Sequence, residues 1–405
     1  MKKSKTQTHH NMDYFVLITV AALLFFGLMM IYSATFALGY QQYNQPTYYF
    51  SRQLLWVGIG LLAMVIFANV EYHTWRRFSI LIMAGTMSLM LLVLIVGGEY
   101  FGAQRWLFRG SIQPSELSKL AIIIYLADWL AVKGDKIRQV SYGVLPFGIL
   151  LSLIAGLIVL QQDLSTAILV SVTALVMFFV AGGDLWQIIA GLSAGTMVFA
   201  MLIVSSSYRL ARITAFLDPI NSDPLGDGYQ IRQILIALGS GGVTGLGLGA
   251  SRQKFGYIPA SHTDGIFAIL GEELGLLGCL VVIGLFVFLA YRGFQIALAA
   301  PDTFGSILAV GITFSLVFQA IVNVGVITAL LPFTGIPLPF ISFGGSSLVV
   351  SMASVGLLLA VSRRTMPEEE QPTKGKPRAT HLGRRNRQTR LSNPRHAIRP
   401  KSATR

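Results

Sequence analysis

The chain has 405 residues, of which 54% are hydrophobic and only 12% charged, about half the charged share of soluble domains. So few charges do not coat a water-exposed surface, which excludes an ordinary soluble enzyme, and the apolar content excludes disorder over most of the length. The single cysteine, Cys279, excludes an intrachain disulfide and a cysteine-built zinc site.

Taken in chain order, a polar N-terminal tail (1–12) with Lys2, Lys3 and Lys5 precedes the first apolar run. That run is too long for a signal-peptide core and is expected to be an anchor. Ten runs are candidate membrane helices: 14–39, 53–70, 78–97, 117–132, 142–160, 164–182, 186–205, 264–291, 304–330 and 345–362. Gln161, Gln162 and Asp163 mark a tight turn between the fifth and sixth. A long segment, 206–263, separates the seventh from the eighth and includes Tyr229–Leu238, which reads as a short amphipathic helix on the membrane surface. The glycine-rich stretch 239–249 lacks the Gly-Lys-Ser/Thr of a phosphate loop and is expected to be an interfacial or re-entrant loop. The net charge of +13 is concentrated at the end: residues 363–405 hold thirteen Lys and Arg against three acidic residues. This tail is expected to be disordered and to rest on anionic lipid, not on nucleic acid.

The loops set the direction. With the N-terminus inside, the inner loops carry Arg76, Arg77, Lys133, Lys136, Arg138, Arg292, Arg363 and Arg364, as the positive-inside rule asks. Both termini are then cytoplasmic, and 98–116, 206–263 and 331–344 face outward. Those outer segments nevertheless hold Arg105, Arg109, Arg209, Arg212, Arg232, Arg252 and Lys254, with Lys119 just inside the next helix. Cations on the outer side suggest a bound anion, most plausibly the phosphate or pyrophosphate of a lipid.

Ionisable residues at membrane depth are costly and usually face a cavity or a partner. Glu116 and Lys119 are spaced for an ion pair at a helix start, behind Pro114 with Gln113 or Ser115 available as a cap. It either stabilises the helix start or lines an outward cavity. Asp128 lies near the inner face and carries no assigned role. His262-Thr263-Asp264 and, further on, Glu272-Glu273 form the most unusual segment. Asp264 reads either as a helix cap or as a chemical base, and Asp264 and Glu272 are spaced for roughly one helix face.

Several of these stretches resemble the motifs of one family. His262-Thr263-Asp264 with Gly271-Glu272-Glu273-Leu274-Gly275 resembles the signature of the SEDS cell-wall polymerases, the FtsW/RodA/SpoVE family. Gly102-Ala103-Gln104-Arg105-Trp106, Gln113-Pro114-Ser115-Glu116 and Lys119 are similar to a second motif. Leu217-Asp218-Pro219 with Gly228-Tyr229-Gln230 resembles a third, and Thr334–Ser347 a fourth. The likeness covers roughly residues 13–364. It departs at Gly265, where the family usually has Phe, at Ala260 in place of Glu, at Gln162 in place of Pro and Ser165 in place of Gly around Asp163, and at Phe343 in place of Tyr.

The resemblance implies an all-α polytopic bundle of about ten transmembrane helices (13–362), with the large outer loop between helices 7 and 8. It implies polymerisation of lipid II on the outer face of the bacterial cytoplasmic membrane, with Asp264 as general base. Arg105, Trp106, Glu116, Lys119, Arg212, Arg252, Lys254, His262, Glu272 and Ser342 are the residues expected at the substrate. No compact metal-ligand motif is present, and a divalent cation (Mg or Mn) enters by resemblance alone. Expected partners are lipid II, the undecaprenyl-pyrophosphate-linked glycan, a class B penicillin-binding transpeptidase, and membrane proteins of the divisome or elongasome. The tails are more like the FtsW branch than the RodA branch, which favours septal over lateral cell-wall synthesis and leaves both open. A lipid II flippase or a non-catalytic division scaffold would use the same intramembrane charges; the inverted repeat that favours a transporter is not visible.

Overall fold

The computed structural model describes residues 12–100, 103–106, 113–218 and 226–364. The N-terminal tail before residue 12, Gly102, Arg109, Pro219 and the basic tail beyond 364 lie outside the described residues. The chain divides into a helical unit, Met1–Met366, and the tail Pro367–Arg405.

All ten apolar runs are helical. They are α1 (Tyr14–Tyr43), α2 (Tyr48–Asn69), α4 (Ser79–Val96), α5 (Pro114–Lys133), α6 (Leu145–Leu160), α7 (Leu164–Val180), α8 (Leu185–Val204), α11 (Ile266–Leu298), α12 (Thr303–Ile327) and α13 (Gly345–Ser362). Short helices α3 (Tyr72–Arg77), α9 (Ser207–Leu217) and α10 (Asp227–Gly241) sit between them, and a two-stranded hairpin, β1 (Gly98–Tyr100) and β2 (Ala103–Trp106), precedes α5. Among the described residues, eight helices are long and apolar enough to cross a membrane, so the chain is a multi-pass membrane protein. α7 has 17 residues, and α5 carries Glu116, Lys119, Asp128 and Lys133. The amphipathic segment anticipated at 229–238 is α10.

Local sequence explains the ends of these helices. Asp13 caps α1 by accepting from the amides of Phe15 and Val16. Asp163 closes the Gln161–Gln162 turn and caps α7 through the amide of Thr166 at 3.1 Å. Pro114 occupies the first turn of α5, where its missing N–H costs nothing.

Burial divides the helices into a centre and a rim. α12 and α13 have 72% and 78% of their apolar stretch buried, while α8 has none. α5 joins the central pair, and α2 lies along α13. The α2–α13 contact is close because glycines permit it: a Cβ on Gly356 would stand 2.5 Å from the carbonyl oxygen of Met64.

α11 is not continuous. Gly275 has φ 67 and ψ −166, which breaks the helix after Leu274. A break leaves amides and carbonyls without helical partners, which apolar surroundings do not tolerate. The glycine-rich stretch supplies them. Leu246 N and Gly247 N donate to the carbonyls of Glu272 and Glu273 at 3.0 Å each, while Leu276 N and Leu277 N donate to Gly242 and Val243 at 3.0 and 3.1 Å. Only glycine fits there: Gly245 has φ +81, and a Cβ on it would lie 2.1 Å from the carbonyl oxygen of Glu273. The stretch anticipated as an interfacial or re-entrant loop is therefore spliced into a helix break.

Candidate active site

The half-helix Ile266–Leu274 is buried along nearly its whole length and begins just after Asp264. The capping position of α11 is Gly265, and Asp264 stands one residue outside it. The cap reading of Asp264 is corrected accordingly: its Oδ1 accepts from Thr263 Oγ1 at 2.9 Å. Its Oδ2 faces Gly335, where a Cβ would come within 3.6 Å of that oxygen. Gly335 has φ +70, a left-handed backbone that favours glycine, so no side chain stands against that oxygen. Burial raises the Asp264 carboxyl above its ordinary 3.8; the Thr263 hydroxyl, nearby backbone amides and the Arg212 charge oppose that rise.

Arg212, on α9, reaches this region across Phe333. Its Nη1 donates to the carbonyl of Phe333 at 3.4 Å, Nη2 donates to the Tyr208 hydroxyl, and its Cζ lies 4.6 Å from the Tyr208 ring and 5.6 Å from that of Phe333. His262 packs against Tyr49 and Phe343 with ring centroids 5.2 and 5.6 Å away. Burial lowers its pKa to about 4, so it is neutral near pH 7. Ser342 fastens the same turn: its Oγ accepts from Leu338 N at 2.8 Å, and its carbonyl accepts from Gln53 Nε2 at 3.4 Å.

The Glu116–Lys119 pair is buried and closes at 2.5 Å, with side chains only 6–8% exposed. The Lys119 ammonium also donates to Gln319 Oε1 at 3.0 Å, and Gln319 Nε2 donates to the carbonyl of Pro337 at 2.8 Å. Asn323, one turn further along α12, donates to the carbonyls of Asp264 (3.0 Å) and Ile336 (2.8 Å). Ser165 Oγ holds the carbonyl of Thr334 at 2.7 Å. The turn 333–344 is thus pinned from α7 and α12, and through Asn323 it shares its support with Asp264.

Glu272, Arg252 and Lys254 form a second cluster. The Glu272 carboxylate accepts from Ser251 Oγ, Arg252 N (3.0 Å) and Gln253 N (3.3 Å). Lys254 is spent on buried Glu273 at 2.9 Å, beside Ser33, which donates to Glu273 at 2.6 Å. Glu272 and Lys254 therefore fasten the loop 250–254 to α11, with Ser33 of α1 joining at Glu273. They do not share a helix face with Asp264, which precedes the helix by one residue more than the cap. The Arg252 guanidinium, in contrast, is exposed and has no protein partner among the described residues. Trp106 is half-buried, and its Nε1 has no hydrogen-bond partner among the described residues. The backbone of Arg105 lies in β2; its side chain is outside the described set.

Gln319 and Asn323 were absent from the sequence expectation. Their signal was available: two amides spaced i, i+4 in an otherwise apolar helix mark one polar face. Among the described residues, no three His, Cys, Asp or Glu side chains come together as a metal site. The neighbours of Asp264 are a hydroxyl, a glycine and an arginine, a set that does not fit a protein-built divalent-cation cage.

The fold defines a multi-pass helical membrane protein with a buried carboxylate beside a broken helix. The family model described as "Cell cycle protein" (FTSW_RODA_SPOVE) matches residues 14–366, and the chain belongs to that family. It is 45% identical to stage V sporulation protein E of Bacillus subtilis over 357 residues, 87% of this chain and 97% of that protein. It is 40% identical to the probable peptidoglycan glycosyltransferase FtsW of Trichlorobacter lovleyi over 354 residues, 86% of this chain and 93% of the relative. Among solved structures it resembles a chain described under "Structural coordination of polymerization and crosslinking by a peptidoglycan synthase complex", with TM-score 0.73, 30% identity and coverage of 87% and 98%. It also resembles the rod shape determining protein RodA of Thermus thermophilus, with TM-score 0.66, 28% identity and coverage of 88% and 98%.

Proposed function

We propose that this chain is a peptidoglycan glycosyltransferase that extends glycan strands from lipid II at the outer face of the bacterial cytoplasmic membrane. The observation that carries the reading is the Asp264 carboxylate: buried, outside the helix cap, with Oδ2 towards Gly335, which has no side chain to cover it. In the reaction an acceptor sugar hydroxyl attacks the anomeric carbon of the donor. The new C–O bond forms as the bond to the lipid pyrophosphate breaks. Asp264 Oδ2 takes the hydroxyl proton, and the pyrophosphate leaves with both electrons of the broken bond.

The cations then divide by availability. Arg212 faces Asp264 and keeps its carboxylate chargeable in a buried setting. Arg252, with its free guanidinium, is the residue we assign to the leaving pyrophosphate. Lys119 with Glu116, and Lys254 with Glu273, act as supports. Both termini are proposed to be cytoplasmic, and a penicillin-binding transpeptidase is the proposed partner, acting with this chain at the septum.

The test is lipid II polymerisation by purified protein with its transpeptidase, with Asp264→Asn beside wild type. Asparagine keeps the shape but does not accept the proton, so the rate should fall by about two to four orders of magnitude. Polymerisation by the variant near the wild-type rate would sink the mechanism. Lipid II movement across liposomes without polymer would convert the reading to a flippase.

A further inference from the structure

A hollow of about 380 Å³ lies at the opposite end of the bundle, lined by His73, Arg76, Arg77, Ser79, Ile80 and Asp128. This is the end where α1 begins and α13 finishes: Asp13 pairs with Arg292 at 2.6 Å and Asp13 N donates to Ser362 at 3.3 Å. Basic residues there are mostly tied down. Arg292 holds Asp13, Arg363 donates to Asn69, Arg364 to Glu71, and Arg138 to the carbonyl of Gly182. Arg77 is different: it is exposed and has no protein partner among the described residues.

Arg76 is only partly used. Its Nε donates to Asp128 Oδ1 at 2.8 Å, and its Cζ lies 5.4 Å from the Phe304 ring. Asp128 is further held by Ser79 Oγ at 2.9 Å. The Arg76 charge is cancelled by Asp128, but the terminal nitrogens of its guanidinium carry no bond to the described residues. His73 Nε2 is hydrogen-bonded to Asp302 Oδ2 at 3.1 Å, while its Nδ1, 3.3 Å from Glu71, makes no hydrogen bond among the described residues. The hollow therefore offers two neighbouring guanidinium groups with unused N–H donors, on Arg76 and Arg77. Beside it, Ile80 and Leu81 are 68% and 67% exposed and face outward as apolar surface.

We propose that this hollow binds the phosphodiester headgroup of an anionic phospholipid. A phosphodiester carries one negative charge, which Arg77, with no carboxylate partner among the described residues, can meet. Its two free oxygens suit a guanidinium fork, and Arg76 supplies further donors without adding net charge. The acyl chains lie against Ile80 and Leu81. Basic pockets at the cytoplasmic ends of transmembrane helices commonly hold such lipids. The site is remote from Asp264 and does not depend on the polymerase reading; the orientation proposed above only names the leaflet as the inner one.

The test is native mass spectrometry of the full chain exchanged into mixed phosphatidylglycerol and phosphatidylcholine, alongside Arg77→Gln and Arg77→Lys. The exposed position makes Arg77→Gln a fold-neutral change. Wild type should retain one phosphatidylglycerol in preference to phosphatidylcholine. Losing a charge-assisted contact should weaken that retention about tenfold in Arg77→Gln, and less in Arg77→Lys. Equal retention by wild type and Arg77→Gln, or equal retention of the two lipids, would overturn the proposal. Millimolar inorganic phosphate distinguishes the source of the phosphate: it should leave the lipid bound, and complete displacement would show a soluble-anion site and overturn the lipid assignment.

Discussion

One amide group on α12, Asn323 Nδ2, donates to the backbone carbonyl of Asp264 at 3.0 Å and to that of Ile336 at 2.8 Å. It thereby fixes the carboxylate-bearing segment and the turn 333–344 to one helix. The Asp264 carboxylate is held by donors of the same segment, the Thr263 hydroxyl and the amides of Asp264 and Gly265, so its aim follows the backbone that Asn323 anchors. Asn323→Ala should therefore lower polymerisation by about tenfold or more, as a barrier increase of about 1.4 kcal/mol requires. It should also destabilise the protein by about 1–3 kcal/mol, because two buried carbonyls lose their donor. Initial rates and melting temperatures in detergent check both. An active variant with ordinary kinetics would remove Asn323 from the positioning scheme.

The Glu116–Lys119 pair gives a different kind of expectation. A pair this buried is costly to break from one side, because the partner is left charged and unmatched. Lys119→Met should destabilise by about 3–5 kcal/mol. The double change Glu116→Gln with Lys119→Met removes both charges and should recover much of that loss. Thermal unfolding of the two variants side by side measures the difference. Equal instability in both would mean that Gln319, through its bond to Lys119 Nζ, is the more important partner.

The splice at the α11 break depends on glycine at one point in particular. Gly245→Ala places a methyl group 2.1 Å from a carbonyl oxygen at φ +81. The left-handed backbone alone costs about 1–2 kcal/mol, and the displaced loop adds to it. Gly239, by comparison, lies within α10 with open space around its Cβ position, so Gly239→Ala should be neutral or stabilising by up to about 1 kcal/mol. Expression yield and melting temperature of the two variants should separate sharply. Equal behaviour would mean that the loop is not held against the break in the membrane.

Much of this was legible in the sequence because the signals are local. Apolar runs located every long helix, Pro114 and Asp163 marked helix starts, and the three-residue spacing of Glu116 and Lys119 foretold their ion pair. What the sequence did not disclose depends on contacts between distant segments. Lys254 reads as a cation for substrate until Glu273 is found beside it, and Glu272 reads as a reactive carboxylate until three donors from residues 251–253 surround it. The glycine run gave its flexibility away, but its role appears only with the break at Gly275, 30 residues after Gly245. Asp264 was ambiguous for another reason. Capping and catalysis use the same side chain at the same end of a helix; Gly265 takes the cap position, which sets that role of Asp264 aside without assigning the other.

The ionisation of Asp264 yields the last prediction, in two measurements of opposite sense. Burial holds its carboxyl above 3.8, against the opposing pull of the Thr263 hydroxyl, local amides and Arg212. A base acts as the carboxylate, so polymerisation should fall on the acid side at a pH above the ordinary carboxylate range. Thr263→Val removes a donor that favours the charged form and should move that fall to higher pH. For stability, the folded state keeps this proton at pH values where the unfolded chain has already lost it. Stability then declines as pH rises from the unfolded carboxylate value through the raised one, and levels off above it. Asp264→Asn lacks this titration, so its stability relative to wild type should increase across the same interval and then stay constant. Melting temperatures of both proteins across that pH range supply the comparison. A relative stability that decreases with pH would show that the folded protein favours the charged carboxylate, and would mean that Arg212 and the amides outweigh burial at this site.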